Sequence, residues 1–345
     1  MNGAEVHELA RDCGFELSGV TPALPSEDFG LYQEWMDRGM AADMQYLVDR
    51  RADIRADPRN LLPSARSVIC VGKLYNAPWP HSTGFHSDEL AWISRYAWGC
   101  DYHDVLRRGL ERLRDRLRQS TGAAFESKIC VDTAPLLERS CARQAGLGWI
   151  GRNTCLINQQ SGSWFFLGEL LVSCEIAGAG APPPDRCGTC RRCIDACPTA
   201  AIVPAGDSRW TLDSRLCISY FTIELRGALP PERRAAVGPH VFGCDICQDV
   251  CPWNRRAPHT VEPEFTPRHF APDLARLAAL TEPEFRELFR GTPVTRARYT
   301  GFLRNVAVAM GNSHNRRFRQ ALEKLAVCGD PVTEEHARWG LQELR

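Results

Sequence analysis

The sequence predicts a multidomain α+β protein, and three observations lead to this fold class. Strand-like apolar runs alternate with helical periodicity over residues 1–180. Eight of the sixteen cysteines lie between Cys187 and Cys251. Toward the C-terminus, apolar positions recur three and four residues apart. We therefore expect a mixed α/β domain over residues 1–180, a cysteine-rich domain over 181–260 and a helical region over 261–345.

Strands and one long helix are predicted for the first domain. The segments Ser64–Tyr75 and Ser163–Cys174 are rich in β-branched, apolar and aromatic residues, and Glu126–Pro135 begins in the same way. The segment Asp101–Gly122 has apolar residues at helical spacing and ends on glycine, a common stop signal. A Gly/Pro-rich linker over residues 178–185 then separates this domain from the cysteines.

Short helices are predicted for the C-terminal region, over residues 284–290, 301–312, 317–327 and 333–344. Short turns join them. Paired helices of this kind are typical of α-solenoids, so we expect a HEAT-like arrangement, although the sequence shows no clear repeat.

Charge and hydropathy exclude several classes of protein. Lys plus Arg equals Asp plus Glu at 42 each, so a polyanionic partner would have to bind a local patch. No apolar run reaches the length of about 18 residues that a membrane span needs. The N-terminal residues lack the basic-then-apolar pattern of a secretion signal. A cytoplasmic protein without membrane contact is therefore expected.

The cysteine-rich domain has the spacing of a ferredoxin-like protein with two [4Fe–4S] clusters. Cys187 begins the run C-x2-C-x2-C-x3-C-P, in which the first three thiolates bind one cluster and the fourth binds the other. A second, shorter run with three cysteines, CDICQDVCP, begins at Cys244 and has Cys251 as its last cysteine. Cys251 should complete the first cluster. Cys217 is the one remaining cysteine in the region and should complete the second. The predicted ligands are Cys187, Cys190, Cys193 and Cys251 for cluster one, and Cys197, Cys217, Cys244 and Cys247 for cluster two.

Zinc is the alternative to iron. Two tetrahedral four-cysteine sites would use the same eight thiolates. The overlapping triple spacing and the two Cys-Pro dipeptides favour iron–sulfur clusters, which transfer single electrons. Because large regions precede and follow the module, we expect the clusters to serve a site on the same chain.

Polar residues of the first domain are candidates for that site. Arg95, Tyr96 and His103 lie close together in sequence, and Asp132 directly follows a predicted strand. An aspartate in this position is more often a helix N-cap than a proton donor, and Pro135 in the next turn is compatible with capping.

Several segments together resemble the epoxyqueuosine reductase family: SRYAWGCDYH, VDTAPLLERSCARQAGLGWIGRNT, WFFLGEL, CGTCRRCIDACPTAAI, CISYFTIE and GCDICQDVCPWN. The match extends from about residue 15 to the closing HARWGLQEL and is specific, because a generic ferredoxin shares only the cysteines. The resemblance implies an enzyme that converts epoxyqueuosine to queuosine at the wobble position of tRNAs with GUN anticodons. Its reductant would be cob(I)alamin, supplied with electrons by two [4Fe–4S] clusters.

The same resemblance implies a function for each region. Residues 1–180 would form an α/β cobalamin-binding reductase domain related to the reductive dehalogenases, and residues 261–345 a HEAT-like tRNA-binding region. Asp132 in VDTAP falls where the family has its proposed proton donor, a role that requires desolvation to raise the pKa of its carboxyl. The residues that fall where the family lines its corrin are Arg95, Tyr96, Asp132, Arg152, Asn153, Thr154, Gly168, Ser219 and Tyr220.

An RNA-binding face should appear as clustered arginines with interleaved aromatic residues. The predicted tRNA contacts are Arg296, Arg298, Arg304, Arg316 and Arg317. Solvated helix faces are the alternative interpretation of such charges. The expected partners are an anticodon loop that carries epoxyqueuosine and an external low-potential electron donor, with the protein acting as a monomer.

Two other functions are compatible with these patterns. One is a corrinoid enzyme, similar to the reductive dehalogenases, that acts on a small molecule. The other is a non-catalytic iron–sulfur electron carrier or an RNA-binding scaffold. Binding of cobalamin separates the enzymes from the carrier, and the arginines favour the tRNA-modifying enzyme.

Overall fold

Helices and strands are interspersed along the computed structural model, which describes residues 1–178, 181–206 and 209–344. The helices are α1 (Gly3–Asp12), α2 (Phe29–Asp37), α3 (Gln45–Val48), α4 (Tyr102–Thr121), α5 (Glu138–Gln144), α6 (Arg192–Ala196), α7 (Pro231–Val237), α8 (Ile246–Asp249), α9 (Leu274–Ala278), α10 (Glu282–Leu288), α11 (Arg298–Asn312), α12 (Arg319–Leu325) and α13 (Pro331–Glu343). The strands are β1 (Leu17–Pro22), β2 (Ser67–Leu74), β3 (Trp92–Ile93), β4 (Ser127–Cys130), β5 (Trp149–Ile150), β6 (Leu156–Ile157), β7 (Phe165–Val172), β8 (Ile202–Pro204), β9 (Trp210–Leu212) and β10 (His240–Phe242). Residues 179 and 180 of the predicted linker lie outside the described residues.

A four-stranded antiparallel sheet organises the N-terminal half, in the order β1-β2-β7-β4. β2 and β7 pair over their whole length, from Ser67 opposite Val172 to Leu74 opposite Phe165. Every residue of β2 is buried, which explains its continuous apolar run. The strands predicted within residues 64–75 and 163–174 are confirmed, whereas the segment 126–135 is extended only at its start.

Helix α4 packs on this sheet and confirms the prediction for residues 101–122. The Asp101 side chain caps the helix by accepting a hydrogen bond from the His103 backbone amide, and Gly122 ends it with a φ of 60°. Leucines along one side of the helix, including Leu106 and Leu110, belong to the core that α4 forms with β7. The cap fixes the first turn of α4, and with it the position of His103.

The C-terminal helices pack around α11, and the four predicted helices are present as α10, α11, α12 and α13. α11 and α13 approach closely at two glycines, because a Cβ on Gly311 would lie 2.8 Å from the Cα of Gly340. In the described part of the chain, no helix is both long enough and apolar enough to cross a membrane. A HEAT-like arrangement of these helices stays a prediction.

One large hydrophobic core joins the three predicted regions. It combines Trp92 and Trp98 with Phe242 from the cysteine-rich region and Phe302 and Met310 from α11. β10 also pairs in parallel with β3. The cysteine-rich region is therefore held against both of its neighbours by shared packing. The boundaries at residues 180 and 260 stay predictions.

Candidate active site and iron–sulfur ligands

Four cysteines form what we name the outer group: Cys187, Cys190, Cys193 and Cys251. They line a cavity of about 270 Å³ together with Arg186 and Arg192. Burial, followed by the nearby charges of the other three thiols, raises the pKa of Cys193 to about 11. These are the four residues that the spacing assigns to cluster one, and the chain brings them together.

The remaining four cysteines form the inner group: Cys197, Cys217, Cys244 and Cys247. Burial, and then the charges of Cys217 and Cys197, raise the pKa of Cys244. The Cys247 thiol is close to Cys244 and Cys217, and it also contacts Cys155, which the spacing argument left out. The group matches the set assigned to cluster two, although the role of each cysteine as a ligand stays a prediction.

The turn predicted at the corrin lies instead between the two cysteine groups. The Arg152 guanidinium donates to the carbonyl of Cys190 at 3.0 Å, and the Asn153 amide donates to the carbonyl of Cys247 at 3.3 Å. Thr154 completes the turn with a φ of 62°. The structure therefore places Arg152 and Asn153 where they connect the loops of the two cysteine groups, with Thr154 in the same turn.

Two groups of four thiols supply the number of ligands that two [4Fe–4S] clusters need. Within the described ranges, no three His, Cys, Asp or Glu side chains converge tightly enough to hold one metal ion. In a cubane, four thiolates bind four different irons, and their sulfurs stay further apart. Burial raises the pKa of Cys193 and of Cys251 to about 11, so metal binding there must displace protons, as it does at other thiolate sites.

A second cavity, of about 750 Å³, opens beside the inner group, and Cys217 forms part of its wall. Its volume lies in the range of small-molecule and cofactor sites. A π-helical turn over Tyr220–Glu224 follows Cys217 and presents Tyr220 to the cavity. The wall also includes apolar, aromatic and hydroxyl side chains, namely Met44, Leu47, Tyr96, Tyr102, Leu212, Ser214, Ser219, Ile223 and Thr295. Such a mixture fits a large amphipathic cofactor.

Asp132 lies on this wall and is paired with His103. The Nε2 atom of His103 lies 3.2 Å from Oδ2 of Asp132, and its Nδ1 atom lies 2.7 Å from Oδ1 of Asp101. The Asp132 side chain keeps 52% of its exposure, because it faces the cavity. Asp132 does not cap a helix, since α5 begins at Glu138 and is preceded by Leu137. The capping interpretation is therefore wrong.

The expected raised pKa of Asp132 is also wrong. Desolvation alone would raise it, but the hydrogen bond and positive charge of His103 outweigh this effect and lower the pKa below its ordinary value. Desolvation likewise opposes the charge on His103, yet the hydrogen bonds that its ring donates to Asp101 and Asp132 raise its pKa to about 9. At neutral pH the proton of the pair therefore resides on His103.

Two residues predicted at the corrin do not line the cavity. The guanidinium of Arg95 is buried and donates to the carbonyls of Ala77 at 2.6 Å and Trp79 at 3.0 Å. Gly168 lies in β7 under α4, where an added Cβ would meet Leu110 at 3.1 Å. Both residues support the fold around the cavity, whereas Tyr96, Asp132, Ser219 and Tyr220 line it.

Two of the predicted tRNA contacts lie at or near the cavity mouth. Arg296 forms part of its lining, donates to Glu224 at 2.9 Å and stacks over Tyr46 at 5.5 Å. Arg298 is exposed, and its charge acts on the neighbouring Arg226, which donates to the backbone carbonyl of Arg296 at 3.1 Å. The three arginines, which we name the mouth arginines, form a positive patch.

The other three predicted contacts lie elsewhere. Arg304 is 0% exposed and donates to the carbonyls of Leu225 at 2.8 Å and Gly227 at 2.7 Å, so its assignment to tRNA binding is wrong. Arg317 pairs with Glu89 and with Asp273 across a different surface. Arg316 is exposed beside it and is not part of the cavity.

Sequence reasoning missed the segment that covers the cavity. Tyr46, Arg51 and Arg55 line the wall from α3 and the turn after it. No motif or periodicity marks this segment. Arg226 was also missed, because a single arginine between Cys217 and Cys244 has no distinguishing pattern in the sequence.

Comparison with known proteins agrees with this geometry. A family model described as "4Fe-4S double cluster binding domain" matches residues 186–254, which favours iron–sulfur over zinc. A second model, "Epoxyqueuosine reductase QueG, DUF1730", matches residues 55–133. An epoxyqueuosine reductase of Xanthomonas campestris is 38% identical, over 99% of this chain and 95% of its own length.

Several solved structures of epoxyqueuosine reductases cover 99% of this chain, among them the following two. One is an epoxyqueuosine reductase with a tRNA-Tyr epoxyqueuosine-modified stem loop, at a TM-score of 0.86, 29% identity and 89% of its own length. The other is the epoxyqueuosine reductase of Bacillus subtilis with its catalytic aspartate loop swung out of the active site, at a TM-score of 0.85, 29% identity and 90% of its length.

Two four-thiol groups beside a cavity with an acid–base pair define an iron–sulfur oxidoreductase. Within this class, the extent of the similarity is decisive, because a relative at 38% identity aligns with almost the whole chain. The chain belongs to the epoxyqueuosine reductase family.

Proposed function

We propose that this protein reduces epoxyqueuosine to queuosine in the anticodon loop of tRNA, with cobalamin bound in the 750 Å³ cavity. The observation that carries the proposal is the meeting of three features on one wall. These are the His103–Asp132 pair, the inner cysteine group through Cys217, and the mouth arginines through Arg296. The mouth arginines favour an RNA substrate over a small molecule, because a small molecule would not need a positive patch at the cavity mouth.

The reaction needs two electrons and two protons. Both carbon–oxygen bonds of the epoxide break, a carbon–carbon double bond forms and the oxygen leaves as water. When bound, cobalamin supplies electrons at a potential that [4Fe–4S] clusters are able to reach. Tyr96, Ser219 and Tyr220 would hold it against the wall nearest to the inner cysteine group.

The protein's own contribution is the proton. His103 Nε2–H donates to Asp132 Oδ2, which is directed into the cavity. As negative charge develops on the epoxide oxygen, Asp132 would take the Nε2 proton of His103 and pass it from its carboxyl group to that oxygen, leaving His103 neutral. Two acceptors, Asp101 and Asp132, keep the ring protonated until that moment.

The mouth arginines would hold the anticodon loop over the cavity. Arginine suits phosphate because its planar fork donates two parallel hydrogen bonds. The modified base must leave the stacked loop to reach Asp132, as splayed bases do at other RNA sites. By analogy with the Bacillus subtilis relative, we propose that the segment carrying Asp132 moves during this cycle.

Electrons would enter at the outer group. Arg186 and Arg192 lie at its cavity and are exposed, so the surface suits an acidic one-electron carrier. The protein would act as a monomer in the cytoplasm, with tRNA and this external low-potential donor as its partners.

The test is a reconstitution under anaerobic conditions. The protein is loaded with iron, sulfide and cobalamin, mixed with a stem loop that carries epoxyqueuosine and reduced with a low-potential reagent. Mass analysis of the nucleosides should show loss of one oxygen atom from the modified base. An unchanged nucleoside from protein with full iron and bound cobalamin would contradict the proposal.

A further inference from the structure

The segment between β4 and α5 holds Asp132 in an unusual backbone conformation. The φ of Asp132 is 50°, in the left-handed region that residues with a side chain seldom adopt. This conformation directs the carboxylate to His103. Because it is intrinsically unfavourable, another part of the molecule must stabilise it.

Glu138, the first residue of α5, supplies that stabilisation. Its Oε1 atom accepts a hydrogen bond of 2.5 Å from the backbone amide of Asp132. The contact spans six residues and closes the segment into a loop. The carboxylate thus fixes the backbone at Asp132, while the Asp132 side chain stays free for His103.

A second carboxyl group, that of Glu169, lies behind Glu138. Glu169 is 0% exposed, and neither of its oxygens has a donor among the described residues. In the sheet it lies opposite Cys70 of β2 and Cys130 of β4, whose thiols are weak donors. Its contact with Glu138 is therefore its one strong interaction.

Two touching carboxyl groups in such a place cannot both be ionised. The titratable and charged groups around them are Asp132, Arg139, Cys70, Cys130 and Cys141. The one cation among them, Arg139, is engaged with the carbonyl of Thr154. Burial, and then the charge of Asp132, raise the pKa of Glu138 to about 8, whereas burial, and then the charge of Glu138, raise the pKa of Glu169 far above its ordinary value. Glu169 is therefore the carboxyl that retains its proton as the pH rises.

We infer that Glu138 is a positioning residue for Asp132, and that Glu169 orients Glu138 by donating its proton to it. The positioning of Asp132 is independent of the proposed function, whereas the expected effect on turnover rests on it. The chain of contacts is Glu169 O–H to Glu138, Glu138 to the Asp132 amide, and the Asp132 carboxylate to His103. Neither glutamate touches the substrate.

Amide hydrogen exchange over residues 131–137 tests the positioning role directly. In the cluster-loaded protein without a stem loop, Glu138→Ala should raise exchange in this segment by about tenfold or more, because the acceptor is lost. Glu138→Gln should leave exchange unchanged, since its amide oxygen still accepts from Asp132. Glu282→Ala is the matched control, because Glu282 is the first residue of another seven-residue helix.

Turnover of the stem loop gives the second readout. Glu138→Ala should lower kcat by roughly 10²-fold with KM unchanged, as expected for a misplaced catalytic group, and Glu138→Gln should restore the rate. Glu169→Gln keeps a donor and should behave as the unmodified protein, whereas Glu169→Leu should behave as Glu138→Ala. If Glu138→Ala loses iron or unfolds, the comparison of Glu169→Gln with Glu169→Leu tests the inference instead. Both substitutions approximately preserve the volume of the side chain.

Unchanged exchange in Glu138→Ala, or equal exchange in Glu169→Gln and Glu169→Leu, would overturn the inference. Exchange is measured without substrate. Its outcome is therefore independent of whether epoxyqueuosine is the substrate, and failure of the proposed function would leave the exchange result standing.

Discussion

The outer and inner cysteine groups contain the same number of thiols in different surroundings. The outer group lies at a cavity with exposed Arg186 and Arg192, whereas the inner group reaches the larger cavity through Cys217. The outer surroundings favour docking of a charged carrier, and the inner surroundings favour chemistry away from bulk water. Under the proposed function, this contrast would direct electrons from the arginine-bearing surface to the cavity.

Removal of a predicted cluster ligand from the inner group should stop electron transfer to the cavity completely. Cys217→Ala should lower the iron content from about eight atoms per chain to about four and abolish turnover, because Cys217 is the one cysteine among the described residues that line the cavity. Iron analysis and the nucleoside assay measure both effects. Cys328→Ala, at an exposed cysteine outside the module, is the control and should change neither. Full iron content in Cys217→Ala would show that the residue is not a ligand.

The acid pair at the inner end should give the next largest effect. In the unmodified protein, kcat should fall as pH rises through about 9, the raised pKa of His103, because the proton is then lost. Asp132→Asn should lower kcat by roughly 10²-fold or more. It should also shift the alkaline limb toward the ordinary histidine value of 6.5, since one of two carboxylates that raise the pKa is gone.

Asp104→Asn, an exposed acid on the same turn of α4, is the control for this experiment and should leave the profile unchanged. If the alkaline limb of the kcat profile does not move in Asp132→Asn, then the titration of His103 is not its cause.

Charge reversal at the outer end should have a moderate effect that depends on the donor. Arg186→Glu with Arg192→Glu should slow reduction of the clusters by an acidic flavodoxin about tenfold at low salt, and by less as salt screens the charges. Reduction by dithionite should be much less affected. Bleaching of the cluster absorbance in stopped flow measures the rates. The double control Arg286→Glu with Arg290→Glu, at one residue on α10 and one in the turn after it, should match the unmodified protein. Equal slowing there would disprove a local docking surface.

The mouth arginines should show the smallest effect. Arg296→Ala should weaken stem-loop binding several-fold and reduce the slope of log affinity against log salt by about 0.7 for one lost phosphate contact. Arg317→Ala should leave both quantities unchanged, because Arg317 is paired away from the cavity. Titrations at several salt concentrations measure both. If Arg296→Ala and Arg317→Ala lose the same affinity for the stem loop, the RNA-binding surface is not confined to the mouth arginines.

Local patterns predicted the parts of this molecule that depend on neighbours in sequence. β2 and β7 were visible as apolar runs, α4 as a periodic stripe with caps, and the cysteine spacing divided the thiols into two sets of four. Contacts between segments that are distant in the chain could not be predicted from the sequence. The pairing of His103 with Asp132 depends on how α4 meets the end of β4, and it reversed the expected protonation of the aspartate.

Arg304 illustrates the same limit. Its position in an arginine-rich stretch indicated a surface role, yet α11 is surrounded by other elements along residues 301–311. The π-helical turn at Tyr220–Glu224 leaves nearby carbonyls in need of donors, and Arg304 provides them. Sequence periodicity marks one buried face of a helix and has no signal for a helix buried on all sides.

The core shared by Trp92, Phe242 and Phe302 has a consequence for damage by oxygen. If air destroys a cluster, the loops that carry its cysteines should loosen, and the nearby strand β10 belongs to the same packing unit as the C-terminal helices. Injury to the redox centre would then spread to the whole chain as a loss of folding stability. A cell's proteases would remove the inactive molecule before it occupied tRNA unproductively.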